Sequence, residues 1–207
     1  MAQIEISREL LEKLKLLERY SFKVTITPTA VITPNIKIIL DKFCDCEFTV
    51  SIKDLLQMLE KTGSFNITNK MEYSYEIDVG GTGVTINRRF KLYDERFDIP
   101  YADPRFSLVV PNFPLLSTDD HSIEVDKDGN FSISSENIIE TKTIFRNLNV
   151  VFSEIESFKC RVRYKDLKII QEFKKEFVFS FFDDHILIHI LETPNITNIL
   201  LIPVLVA

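Results

Sequence analysis

The chain has 207 residues, 45% of them apolar, which is enough for one large domain or two small ones with real cores and excludes a disordered segment. A formal net charge of −6 excludes a uniformly basic nucleic-acid binder, but not one whose cations are gathered on one face. Seventeen phenylalanines, five glycines and no tryptophan lean toward strands, and no apolar run approaches the roughly 18 residues of a membrane span, so no membrane is expected as a partner.

The opening Met1-Ala2-Gln3-Ile4-Glu5 has no basic stretch ahead of an apolar one, so no secretory leader is expected. The odd set Cys44, Cys46 and Cys160 suits a reducing compartment, with the cytoplasm as the expected address. The clearest helix follows, with Ser7 as N-cap and Leu10, Leu11, Leu14 and Leu17 as its buried stripe. Strands are predicted at Phe22–Thr27, Ala30–Thr33 and Ile36–Leu40.

Val50-Ser51-Ile52-Lys53-Asp54-Leu55 then reads closely like Val162-Arg163-Tyr164-Lys165-Asp166-Leu167, an offset of 112 residues from Val50 to Val162. Without a gap the same offset pairs Met58 with Ile170, Glu60 with Glu172 and Phe65 with Phe177, and it aligns Tyr73–Val79 with His185–Leu191. Each copy reads as strand, short helix, then three strands, with Leu55, Leu56, Met58 and Leu59 as the first apolar stripe and Gly63 as its stop. Leu167, Ile169, Ile170 and Phe173 form the second stripe. The later lobe opens with a hairpin, His121–Asp126 and Asn130–Ser134, turned at Asp128-Gly129. No helix is expected ahead of that hairpin. Pro100, Pro104, Pro111 and Pro114 mark a stiff connector, which divides the chain into an N-terminal lobe 1–98, a connector 99–116 and a C-terminal lobe 117–207.

Three stretches carry a resemblance: Ile6-Ser7 with its leucine-rich helix, Phe48–Leu55, and the connector Pro100-Tyr101-Ala102-Asp103-Pro104 with Val109-Val110-Pro111-Asn112-Phe113-Pro114. Together they resemble the DNA sliding clamps of T-even-type tailed phages. The resemblance implies an α+β, two-lobed clamp-like fold with antiparallel sheets outside and a few short amphipathic helices inside. The chain is expected to depart from that family in lacking one helix of the second lobe. The resemblance further implies a homotrimeric ring around double-stranded DNA, loaded by a clamp loader, tethering a DNA polymerase and also assisting late transcription in an infected bacterial cell. The alternative is a β-rich structural or assembly module of a virus that binds only proteins.

A device that slides needs diffuse phosphate contact and no base readout. The expected DNA-facing cations are Arg8, Lys13, Lys15 and Arg19 on the first helix, Lys53 and Lys61 on the second, and Arg163, Lys165, Lys168, Lys174 and Lys175 on the third. Solvated helix faces carry such residues anyway, most plainly the first two. Phe106, Val109, Val110, Phe113 and Leu115 form a candidate pocket for a partner's peptide, with packing on their own lobe as the competing reading.

Other chemistry finds little support. His185 and His189 share one face of a strand without a third ligand, and Cys44-x-Cys46 has no second cysteine pair, so no metal is expected. Asp126-x-Asp128-x-Asn130 departs from a calcium loop at Phe131 and Asn137, and Gly80-Gly81-Thr82-Gly83 is too short for a phosphate loop. Asp119-Asp120-His121 and Asp183-Asp184-His185 bring no nucleophile, so neither catalysis nor a cofactor is expected.

Overall fold

The computed structural model describes residues 2–5, 7–59, 64–67, 72–89, 91–99, 102–135 and 140–205. The chain forms two compact units, Met1–Ile99 and Pro100–Ala207.

In the first unit, strand β1 (Ala2–Glu5) leads into helix α1 (Arg8–Glu18). Ser7 caps α1 in extended backbone geometry, its Oγ accepting from the Leu10 N–H at 3.0 Å. Leu10, Leu14 and Leu17 recur at helical spacing and are buried, anchoring α1 to its unit. Strands β2 (Lys23–Thr27), β3 (Ala30–Ile32) and β4 (Ile36–Ile39) follow as an antiparallel meander. Strand β5 (Phe48–Ser51) pairs on the other side of β2 and runs directly into helix α2 (Ile52–Leu59). The unit closes with β6 (Ser64–Ile67), β7 (Glu72–Val79), β8 (Thr82–Arg89) and β9 (Leu92–Tyr93). β6 pairs with β1, β7 with β8, and β9 with β5.

The second unit opens with β10 (Phe106–Val110), so part of the segment expected as a connector is a strand of this unit. A meander of β11 (His121–Asp126), β12 (Phe131–Ser135) and β13 (Thr141–Phe145) follows, then β14 (Val150–Ser153) and β15 (Ser157–Val162). The third helix is a single turn, α3 (Tyr164–Leu167), continued by a 3-10 turn at Lys168–Glu172. β16 (Phe177–Phe181), β17 (His185–Thr193) and β18 (Ile196–Pro203) complete the chain of elements. One sheet runs β13-β12-β11-β15, and β14, β10, β16, β17 and β18 pair in that order.

The units repeat one topology. A meander flanked by the strand that feeds a helix is β4-β3-β2-β5 in the first and β13-β12-β11-β15 in the second. The offset of 112 holds at the level of backbone pairs: Val50 pairs with Leu92, and Val162 bridges Val204. Between β10 and β11 the connection 111–120 contains no helix, whereas α1 stands between β1 and β2. Phe113 fills that connection's share of the core, its ring 5.8–6.5 Å from those of Phe131, Phe145, Phe177 and Phe179.

Candidate nucleic-acid interface

α1 presents Arg8, Glu9, Glu12, Lys15, Glu18 and Arg19 to solvent, so its exposed charges balance. Arg8 Nε donates to Glu12 Oε1 at 3.0 Å, one helical turn away. Lys13 does not belong to that face: it is only 8% exposed, on the same side as the leucines. Its position explains this, because residues 10, 13, 14 and 17 follow the three-four spacing of one helix face. A lysine stem four carbons long can pack there while its ammonium reaches the rim. α2 exposes Lys53 beside Asp54 and Gln57, and Lys61 lies outside the described residues, as does Gly63.

The third element is different. Arg163 precedes α3 and its Nε donates to Asp166 Oδ2 at 2.7 Å, so it is tied to the first turn and Asp166 is largely covered. Lys165, Lys168, Lys174 and Lys175 are all exposed, against Glu172 and Glu176. Lys174 and Lys175 stand beyond the 3-10 turn rather than on a helix. The positive surface is therefore richest around α3, and it is neutral around α1.

The expected peptide pocket is not formed by its five residues. Phe106, Val110 and Phe113 are 0–2% exposed, inside the second unit's core, because β10 is flanked by β14 and β16. The chain beyond β10 is stitched to the 3-10 turn: Gln171 Nε2 donates to the Phe113 carbonyl at 3.1 Å, and the Leu115 N–H donates to Gln171 Oε1 at 3.2 Å. Val109 and Leu115 are half-buried. Packing on their own unit, the competing reading, is what these residues do.

Remaining polar groups are accounted for locally. His185 Nδ1 lies 2.6 Å from Asp184 Oδ1, its ring stacks on Phe182 at 4.4 Å, and its Nε2 is buried without a partner, out of reach of a substrate. Asp126 Oδ1 accepts from the Asp128 and Asn130 N–H groups at 3.0 and 3.1 Å, the geometry of a turn. The Asn130 side-chain amide, donating to Asp126 Oδ2 at 2.9 Å, chiefly holds this carboxyl below its usual range, and the two backbone N–H groups add to it. Cys44 Sγ donates to the Thr27 carbonyl at 3.2 Å, and burial pushes the Cys160 thiol up to about 12. Among the described residues, no cluster of three or more His, Cys, Asp or Glu could hold a metal ion, and no helix is long and apolar enough to cross a membrane.

The fold is that of the clamp proteins. No protein-family model and no curated protein sequence matches the chain. Solved structures do. The Helicobacter pylori beta clamp, bound to a DNA ligase peptide, superposes over 97% of this chain and 66% of its own, with a TM-score of 0.66 and 14% identity. PCNA from Thermococcus kodakaraensis matches over 99% and 100% with a TM-score of 0.65 and 14% identity. A putative DNA polymerase III beta subunit from Eubacterium rectale matches over 98% and 65% with a TM-score of 0.69 and 13% identity. The chain thus spans about two thirds of the length of these bacterial beta subunits and the whole length of the archaeal PCNA.

Proposed function

We propose that the protein is a DNA sliding clamp, a processivity factor that encircles duplex DNA and tethers a replicative polymerase. The observation that carries this reading is the match of nearly the whole chain, both units and their order, to beta clamps and to PCNA. The mechanism is enclosure with salt-sensitive phosphate contact, and it involves no chemical step. Lys165, Lys168, Lys174 and Lys175 supply most of that contact, with Lys53, Arg8, Lys15 and Arg19 in lesser roles because acids stand beside them.

The sheet edges support ring closure. β9 ends the first unit's sheet and β13 ends one sheet of the second, and open edges invite pairing. A head-to-tail contact between such edges closes into a ring when the rotation allows it, and three copies supply six units. A clamp loader, a polymerase and a late-transcription role complete the reading carried by the phage-clamp resemblance.

Light scattering tests the assembly: the expected mass is three times the 24.1 kDa of the chain. Charge reversal at Lys165, Lys168 and Lys175 then tests the DNA interaction. Retention on nicked circular DNA is expected to fall by about tenfold or more, and the log–log salt slope by about 0.9 for each phosphate no longer neutralised. A strictly monomeric protein at high concentration whose DNA retention ignores these lysines would sink the proposal.

A further inference from the structure

On the first unit, one row of side chains across the sheet is covered by the chain itself. Lys37, Ile32, Thr25 and Thr49 are neighbours across β4, β3, β2 and β5, on the face opposite Val24, Val31 and Ile38. Ile32, Thr25 and Thr49 are 3%, 1% and 0% exposed because residues 94–99 cross over them. The Phe97 N–H donates to Thr25 Oγ1 at 3.0 Å, the two threonine hydroxyls are 2.7 Å apart, and Thr49 Oγ1 donates to the Glu95 carbonyl at 2.6 Å. With the Thr49 proton committed to that carbonyl, Thr25 is the donor in the middle bond. Two carboxylates anchor the crossing segment: Glu95 on Lys23 at 2.6 Å and Asp98 on Lys37 at 2.9 Å.

The second unit presents the same row open. Lys142, Ser134, Ser122 and Arg161 are neighbours across β13, β12, β11 and β15. Their alternates Ile123, Ile133 and Cys160 face the core, so this row faces away from it. Lys142 and Arg161 are exposed, each without a salt bridge among the described residues, and the serines between them are half-buried. Lys142 thus occupies the position of Lys37 without an Asp98. Beside the row lies a hollow of about 350 Å³, walled by Ser132, Lys142, Ile144 and the Lys159–Glu124 ion pair. Ile144 is 52% exposed there.

We propose that this face of the second unit is a docking lane for an extended acidic segment of a partner protein, lying across the strands as residues 94–99 lie on the first unit. Strands stand about 4.8 Å apart, so the lane from Lys142 to Arg161 is about 14 Å long, a distance four or five extended residues cover. A carboxylate near each end meets Lys142 and Arg161, the serine hydroxyls bond the backbone between them, and one apolar side chain enters the hollow against Ile144. A nucleic-acid strand suits the lane less well, because its phosphates repeat at every nucleotide, whereas the row's cations stand only at its two ends with serines between them.

The probe is the peptide Tyr-Asp-Glu-Arg-Phe-Asp-Ile, a copy of residues 93–99 with blocked ends, titrated into the full chain and followed by NMR. Backbone shifts are expected at Ser122, Ser134, Lys142 and Arg161. The double variant Lys142→Glu/Arg161→Glu, whose exposed positions leave thermal unfolding unchanged, is expected to weaken binding by about five- to tenfold. A peptide with lysines in place of its acidic residues is expected to recover affinity for that variant. Absence of shifts at the four residues, or binding indifferent to charge reversal, overturns the proposal. A double variant that loses DNA affinity but keeps the peptide also overturns it, in favour of a nucleic-acid surface. Because Lys142 stands on β13, the edge that closes the ring in the clamp reading, the mass of the double variant by light scattering is read alongside, and an unchanged mass separates lost peptide binding from a failure of that reading.

Discussion

The same connection in the two units is built in opposite ways. Between β1 and β2 the first unit places an eleven-residue helix whose Leu10, Leu14 and Leu17 are 0–2% exposed. Between β10 and β11 the second unit places an irregular segment whose Phe113 is 2% exposed and touches four other phenylalanine rings. The meanders on either side keep their order and register despite this. What the topology demands from the connection is therefore buried apolar volume, and a helix is one of two ways to supply it. The exchange has an electrostatic consequence. Without a counterpart of α1, the second unit's exposed helix-side cations come from α3 and the turn that follows it.

That comparison breaks most visibly under truncation. Phe113→Ala removes a ring from a site with no helix to relax into it, and the expected loss is about 3–5 kcal/mol in chemical denaturation. Leu14→Ala in α1, also fully buried, is expected to cost about 2–5 kcal/mol. If the units unfold as separate steps, each variant shifts only the transition of its own unit. A loss below about 1 kcal/mol for Phe113→Ala would mean that the phenylalanine cluster does not replace the helix.

The turns sharpen the contrast at a smaller scale. Gly81, between β7 and β8, has a φ of +85° and open space where a Cβ would stand. Gly129, between β11 and β12, has a φ of +75°, and a Cβ there would meet the backbone oxygen of Leu148 at 2.2 Å. Leu148 is fixed in place, since its N–H donates to the Gly129 carbonyl at 2.9 Å. Gly81→Ala should cost only the left-handed penalty of about 1–2 kcal/mol, while Gly129→Ala adds a clash with an immovable neighbour and should cost about 3 kcal/mol. Thermal melts of the two variants decide it, and equal losses would remove the distinction.

Much of this architecture is legible in the residues themselves. α1 is readable because a cap and a leucine stripe agree, and the duplication is readable because Val50–Leu55 and Val162–Leu167 keep both their apolar spacing and their Lys-Asp pair. β10 is hidden because Pro104 and Pro111 bracket it, and prolines read as loop although these two stand just outside the strand. α3 is shorter than its stripe suggests: after one turn the backbone tightens to 3-10 geometry, and Gln171 spends both its amide groups on residues 113 and 115, a tertiary demand no local pattern carries. Of the candidate DNA face, the burial of Lys13 is legible in its place within the 10, 13, 14, 17 spacing. The covering of Thr25 and Thr49 by residues 94–99 is not, because pairing between Lys37 and Asp98 depends on chain segments 61 residues apart.

The smallest expected effect concerns one position in the two meanders. Val24 pairs with Val50 in the first unit, and His121 pairs with Val162 in the second. His121 is 3% exposed and stacks on Tyr164 at 6.2 Å, and its Nδ1 is buried without a partner. Burial holds its imidazole below the ordinary histidine value, only partly offset by Asp119 and Asp120. The unfolded chain therefore takes up this proton first, so the fold keeps its full stability above about pH 6.5 and loses it as pH falls below that value. His189, held down by burial as well, adds to the same trend. Replacing His121 with the valine that stands at position 24 removes one orphaned nitrogen and one titration. At pH 7.5 the variant should be as stable as the parent or about 1 kcal/mol more so. At pH 5 its advantage should grow, because the variant no longer loses the His121 contribution and keeps only the acid loss due to His189. An advantage that stayed constant between the two pH values would show that His121 titrates alike in the folded and unfolded chain, and that its burial carries no charge penalty.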